Sequence, residues 1–213
     1  MDALLYLDGE SLSAWTWRWR KLSPGPRFSD AGPDFLAWLG SQRGAVFTLI
    51  ADVVDEAFQA EALPPASGSD RSAMIARKLS QLFFGSPYCA ALSLGKQGGP
   101  HPEERILCAA LTRPAQIEPW IAALASLDAP LDGLKLCAQF AAALLPRALR
   151  AEPRLLQVCL TPAGIRQNLL EAGQLRFSRL AMLSEGEDWI VRLPHEVHKT
   201  RQYLLAQHVL ARG

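Results

Sequence analysis

Two hydrophobic periods divide the chain into elements: a period of two residues, which predicts strands, and one of three to four, which predicts helices. Leu4–Leu7 and Leu12–Arg20 predict two strands joined at Asp8-Gly9, a dipeptide that favours a tight hairpin turn. The second strand puts Trp15, Trp17 and Trp19 on one face and Thr16, Arg18 and Arg20 on the other. A row of large aromatics serves as a ligand-stacking face or as core; core beneath a helix is the expectation. Lys21–Ser29, broken by Pro24-Gly25-Pro26, predicts a loop, and Asp34–Leu39 a short helix with Phe35, Trp38 and Leu39 at apolar spacing.

Ala45–Val54 is a nearly unbroken β-rich run that predicts a buried strand. Phe58–Leu63 continues extended until Pro64-Pro65, after which Ser67-Gly68-Ser69-Asp70 supplies caps for a helix. That helix, Asp70–Phe84, aligns Ile75, Leu79, Leu82 and Phe83 on one stripe and leaves Arg71, Arg77 and Lys78 outside it. Tyr88–Leu94 and Arg105–Leu111 predict strands on either side of an exposed loop, Gly95–Pro102. Thr112 and Pro114 open a helix carrying Ile117, Trp120, Ile121 and Leu124. Leu131–Leu136 predicts a short strand, followed by a helix through Phe140, Leu144 and Leu145 that ends near Arg150.

Arg154–Leu160, Gly164–Leu170 and Gln174–Leu183 form a predicted β-meander, with Glu171-Ala172-Gly173 as its second turn. Beyond that turn Leu175 and Phe177 share one face, and Arg176 and Ser178 the other. The continuous apolar character of the first strand places it at the centre of its sheet. A last strand over Trp189–Leu193 follows the acidic loop at Glu185-Gly186-Glu187-Asp188, and Pro194 opens a final helix bearing Val197, Leu204 and His208. The order is mixed α/β, without internal repeats. The first hairpin and the Ala45 run are expected in one sheet and the meander in a second. The Asp70–Phe84 helix is expected on a small sheet built partly from Tyr88–Leu94 and Arg105–Leu111.

At 213 residues, 49% apolar and 20% charged, the chain has the balance of a globular protein of one large domain or two small ones. A net charge of +1 with scattered basic residues argues against a nucleic-acid or anionic-membrane protein. The start, Met1-Asp2-Ala3-Leu4-Leu5, has no basic region of the kind that opens a signal peptide, and no apolar stretch reaches the length of a membrane span. Cys89, Cys108, Cys137 and Cys159 lie far apart among apolar neighbours, as reduced cytoplasmic thiols do.

Candidate chemistry is sparse. His195 and His198 are three residues apart, whereas the zinc-protease helix needs four, so no metal is assigned. Ser67-Gly68-Ser69 and Gly95-Lys96-Gln97-Gly98-Gly99 lack the spacing of a phosphate-binding loop, and no nucleophile elbow exists. Asp8, Asp52, Asp55 and Glu56 stand at strand ends, where clustered acids hold Mg²⁺ in ribonuclease H-like enzymes; the plainer reading is a turn residue and a solvated strand exit. Arg176 and Arg179 offer a phosphate contact or, more simply, ion pairs. No catalytic, cofactor-binding or metal-binding residue is assigned, and no cofactor.

The order of elements resembles the actin-like fold of bacterial pilus and secretion platform proteins: PilM of type IV pili, the cytoplasmic part of GspL, and MshI-like proteins. The resemblance is carried by Ala45–Pro64, the helix Asp70–Phe84, Ile106-Leu107-Cys108-Ala109-Ala110 with its helix, Leu131–Leu149, and Gly173-Gln174-Leu175-Arg176-Phe177-Ser178-Arg179. It implies ribonuclease H-like, actin-like mixed sheets flanked by helices. Residues 1–150 would be a first domain with a small inserted subdomain about 58–112, and residues 151–213 the start of a second domain cut from a longer chain. The nucleotide-binding members have an Asp-x-Gly turn with a nearby lysine. Here stand Asp8-Gly9-Glu10-Ser11 without the lysine and, at the second turn, Cys159-Leu160-Thr161-Pro162-Ala163-Gly164 without the acid. Pro162 also removes a backbone donor where a phosphate would sit. The resemblance therefore implies a non-catalytic module at the cytoplasmic face of the inner membrane, docking protein partners of a pilus or secretion apparatus or pairing with itself. It implies no nucleic acid, and a membrane only through a missing part of the chain. The alternative is a Mg²⁺-dependent ribonuclease H-like or kinase-like enzyme using Asp8 and Asp52.

Overall fold

The structure, a computed structural model, describes residues 2–96, 103–184, 186–207 and 209–210. The chain divides into two compact units, Met1–Phe140 and Ala141–Gly213. The first contains β1 (Asp2–Leu7), β2 (Leu12–Arg18), β3 (Lys21–Phe28), α1 (Pro33–Ser41), β4 (Val46–Ala51), β5 (Glu56–Leu63), α2 (Gly68–Leu82), β6 (Cys89–Lys96), β7 (Glu104–Leu111), α3 (Glu118–Ser126) and β8 (Leu131–Leu136). The second contains β9 (Arg154–Thr161), β10 (Gly164–Glu171), β11 (Gln174–Ala181) and α4 (Trp189–Ala206).

The main sheet of the first unit runs β3-β2-β1-β4-β8. Its first three strands are an antiparallel meander, and β4 lies parallel to β1 with Leu7 opposite Ala51. Alternation along these strands sends Leu5, Leu7, Leu12, Phe47 and Leu49 to one face, in one buried cluster with Phe35 and Leu39 of α1 and Trp120 and Leu124 of α3. Phe35 meets Phe28 and Trp120 edge to face, with 5.1 Å between ring centroids in each pair.

A second sheet, β5-β7-β6, is inserted between β4 and α3. Helix α2 packs on it through Leu79, Ile75 and Met74 against Leu63, Ile106 and Cys108, as the apolar stripe predicts. Two charge-assisted bonds from Arg71 to Glu104, at 2.7 and 2.8 Å, tie the helix to β7, and Arg71 holds the Glu104 carboxyl at about 2. The fold class is the mixed α/β one expected, with mixed and antiparallel sheets flanked by helices.

Several local expectations fail. Pro114–Gln116 is a separate short turn and α3 starts only at Glu118, so Thr112 does not cap it. Lys21–Phe28 is a strand rather than a loop, because β3 is an edge and a prolyl nitrogen there breaks no ladder that a neighbour needs; the register slips between Ser13 and Trp15 to absorb it. Residues 137–150 form short turns at Cys137–Phe140 and Arg147–Leu149 instead of a helix, with Pro146 interrupting the hydrogen-bond ladder. Trp189–Leu193 begins α4 rather than forming a strand: Asp188 caps the helix by accepting from Ile190 N at 2.8 Å, and Pro194 lies inside it. The meander runs β11-β10-β9, so the apolar β9 is an edge and β10 is the centre. Finally, the tryptophan row is not core. Leu12 and Ala14 take the core face of β2, which leaves Trp15 half-buried on the opposite side, Trp17 47% exposed and Trp19, at the turn, 97% exposed. The loop expected over Gly95–Pro102 falls largely outside the described residues.

Candidate functional site

Parallel pairing of β1 with β4 brings Asp8 and Asp52, each just beyond a strand end, to the same sheet edge. Asp52 N continues the ladder by donating to Leu7 O at 2.8 Å. Tyr6, two residues before Asp8, shares its face and donates its hydroxyl to Asp52. Both carboxylates are buried.

Asp8 is spoken for by its own turn. Its Oδ1 accepts from Ser11 N at 2.9 Å and from Glu10 N at 3.2 Å, while Gly9 turns the chain at a φ of +89°. Arg27 reaches back from β3, donating to Asp8 Oδ2 at 2.8 Å and to the Ser11 hydroxyl. The Asp8 carboxylate is thus taken up within its own turn and by Arg27. Asp55 and Glu56 do not join them. Asp55 accepts from Gln116 at 2.9 Å and pairs with Arg113 at 3.4 Å, and Glu56 starts β5 opposite Leu111. Among the described residues no three His, Cys, Asp or Glu side chains converge as metal ligands. His195 and His198 are exposed on α4.

The β9–β10 turn, where the resemblance would put a second phosphate turn, is Pro162-Ala163. Thr161 Oγ1 donates to Gly164 O at 3.2 Å. Gly164 has a φ of +135°, and a Cβ there would stand 2.3 Å from Ala181 O, so only glycine fits. Pro162 has no N–H to offer.

Arg176 and Arg179 are both in ion pairs. Arg176 meets Glu171 at 2.9 Å, and Arg179 meets Glu196 of α4 at 2.8 Å. The latter partner escaped the sequence reading. Glu196 has no exposed surface and is also reached by Arg192 at 2.9 Å and Lys199 at 3.1 Å. Burial pushes its carboxyl up, but bonds from Arg192, Lys199 and Arg179 outweigh that and hold it at about 2. Also unforeseen is a polar ladder through the meander. Arg166 donates to Ser178 at 2.8 Å, Ser178 to Asn168 at 2.8 Å, and Asn168 to Gln157 at 3.0 Å. The sequence signal for it was present: Arg166-Gln167-Asn168 are three polar residues in mid-strand, and all three are buried.

No protein-family model matches the chain, and no curated protein matches it in sequence. Among solved structures, the PilM–PilN type IV pilus biogenesis complex is similar at a TM-score of 0.56 and 13% identity, over 97% of this chain and 73% of that one. The cytoplasmic domain of EpsL, an inner membrane component of the Vibrio cholerae type II secretion system, aligns at 0.49 and 12% identity, over 89% of this chain and 76% of that one. A Bacteroides thetaiotaomicron protein of actin-like ATPase fold and unknown function aligns at 0.43 and 10%, over 95% of this chain and 76% of that one. The first of these carries the assignment. The chain has the fold seen in the PilM–PilN pilus biogenesis complex, which its element order resembles.

Proposed function

We propose that this chain is a non-catalytic actin-like module of a pilus or type II secretion-like assembly platform, acting at the cytoplasmic face of the inner membrane by docking other proteins. In this reading the first unit, with the β5-β7-β6 insertion, corresponds to a first actin-like domain and the second unit to a second. The fold likeness to a chain of the PilM–PilN complex supports the setting, since that structure is itself an assembly of pilus biogenesis proteins. The observation that carries the non-catalytic reading is the Asp8 turn, whose carboxylate is taken up by Ser11, Glu10 and Arg27. A nucleotide site needs free donors for phosphate and an acid free to orient metal-bound water.

Two measurements test this. Calorimetric titration with ATP and Mg²⁺ is expected to show no binding in the micromolar range; such binding, or hydrolysis, returns the enzyme reading built on Asp8 and Asp52. Cross-linked purification of the full chain from its own cells is expected to recover pilus or secretion assembly proteins. Recovery without any of them sinks the platform assignment independently of the nucleotide result.

A further inference from the structure

Trp19 and Arg20 form the two-residue turn between Arg18 and Lys21, at φ values of +51° and +62°. That backbone is the one asparagine and glycine fill at little cost, and a bulky side chain there is a conformational outlier. Trp19 is also 97% exposed, so packing within the described chain does not repay the strain. A costly residue held in the open points to a ligand outside the fold.

The surrounding hairpin indicates which ligand. Trp17 pairs with Leu22 and Trp15 with Pro24 across the strands, which gives one face of the arm an apolar stripe ending at Trp19. Trp17 and Leu22 remain 47% and 43% exposed. Arg18 and Lys21 pair on the opposite face, and Arg20 sits in the turn. Ser11–Ser29 contains Arg18, Arg20, Lys21 and Arg27 and no acid. Arg27, at the base of the arm, is held by Asp8, and Asp2 lies opposite Trp17, so the tip itself carries Arg20 and Lys21 with no acid in the hairpin. A net charge of +1 over the whole chain conceals this local segregation. Indole rings at a tip, flanked by cations, match the interface of an anionic bilayer: the ring sits at headgroup level and the cations meet lipid phosphates.

We propose that the β2–β3 hairpin is a membrane-surface anchor that inserts Trp19 into the headgroup region of anionic lipid. The test sediments the full chain with vesicles of phosphatidylcholine alone and of phosphatidylcholine mixed with phosphatidylglycerol. Binding is expected to the mixed vesicles only, to weaken with added salt, and to shield tryptophan fluorescence from acrylamide. Trp19→Asn relieves the turn, so it is expected to leave Tm unchanged or raise it while lowering partitioning about tenfold. Replacing Arg20 and Lys21 together with alanine is expected to lower it roughly 25-fold, about fivefold per cation. The proposal is overturned if the wild-type chain ignores the mixed vesicles, binds neutral ones equally, or retains an oligonucleotide or protein through the hairpin instead. It is likewise overturned if Trp19→Asn binds undiminished, or if it lowers Tm and so marks the ring as structural.

Discussion

Glu196 shows how one buried carboxylate fastens an element. Three cations surround it, one of them Arg179 on β11, so it ties α4 to the meander. Its removal costs the charge-assisted bonds to Arg179, Arg192 and Lys199, although each of those cations keeps about a third or more of its side chain in water. Glu196→Ala is expected to lower unfolding free energy by about 2 kcal/mol in urea titration. The pH dependence has a definite sign. The folded carboxyl stands at about 2 against an ordinary 4.5, so its contribution is complete above 4.5 and is lost as pH falls toward 2. The difference between wild type and Glu196→Ala should therefore shrink between pH 5 and pH 2, as urea titrations across that range would show. Gly164→Ala tests a steric requirement instead. With Ala181 O 2.3 Å from the new Cβ and a φ of +135°, it is expected to cost on the order of 2 kcal/mol.

Among the elements, α4 and β3 show where pattern reading stops. Trp189-Ile190-Val191 has strand propensity, yet Asp188 satisfies the first-turn donor at Ile190 and the run enters a helix with those side chains exposed. Asp188→Ala is expected to cost about 1 kcal/mol and to reduce helical circular dichroism; an unchanged Tm would mean that packing alone sets the helix start. For β3 the missing information was position in the sheet. Pro24-Gly25-Pro26 breaks a central strand but not an edge one, and no local property reports which a segment will be. The helix α2 was legible because its apolar stripe is continuous over several turns, although it starts at Gly68 without the side-chain cap expected there.

For the whole molecule, strand order governs which backbone is protected. β1, β4, β7 and β10 have neighbours on both sides, whereas β3 and β9 are edges. Native-state hydrogen exchange should be slowest in the first group and fast in β9 despite its apolar sequence. Protection of β9 equal to that of β10 would show that another strand covers its edge. Core truncation follows the same map: Leu49→Ala, at a fully buried β4 position, is expected to cost about 3 kcal/mol by urea unfolding.

Most elements, the mixed α/β class and the resemblance that led to the fold were determined by the sequence alone, because they rest on local periodicity and on capping and turn residues. The tertiary structure decided what depends on neighbours far along the chain. Asp8 and Asp52 follow neighbouring strand ends because β1 and β4 pair in parallel, and Arg27 closes the Asp8 turn only because β3 is a strand rather than a loop. Alternation placed Trp15 and Trp17 on one face, but only the sheet shows that Leu12 and Ala14 own the core side and that the indoles face outward. A period of two sorts residues into faces without saying which face is covered; that is settled by the helices packed on the other one.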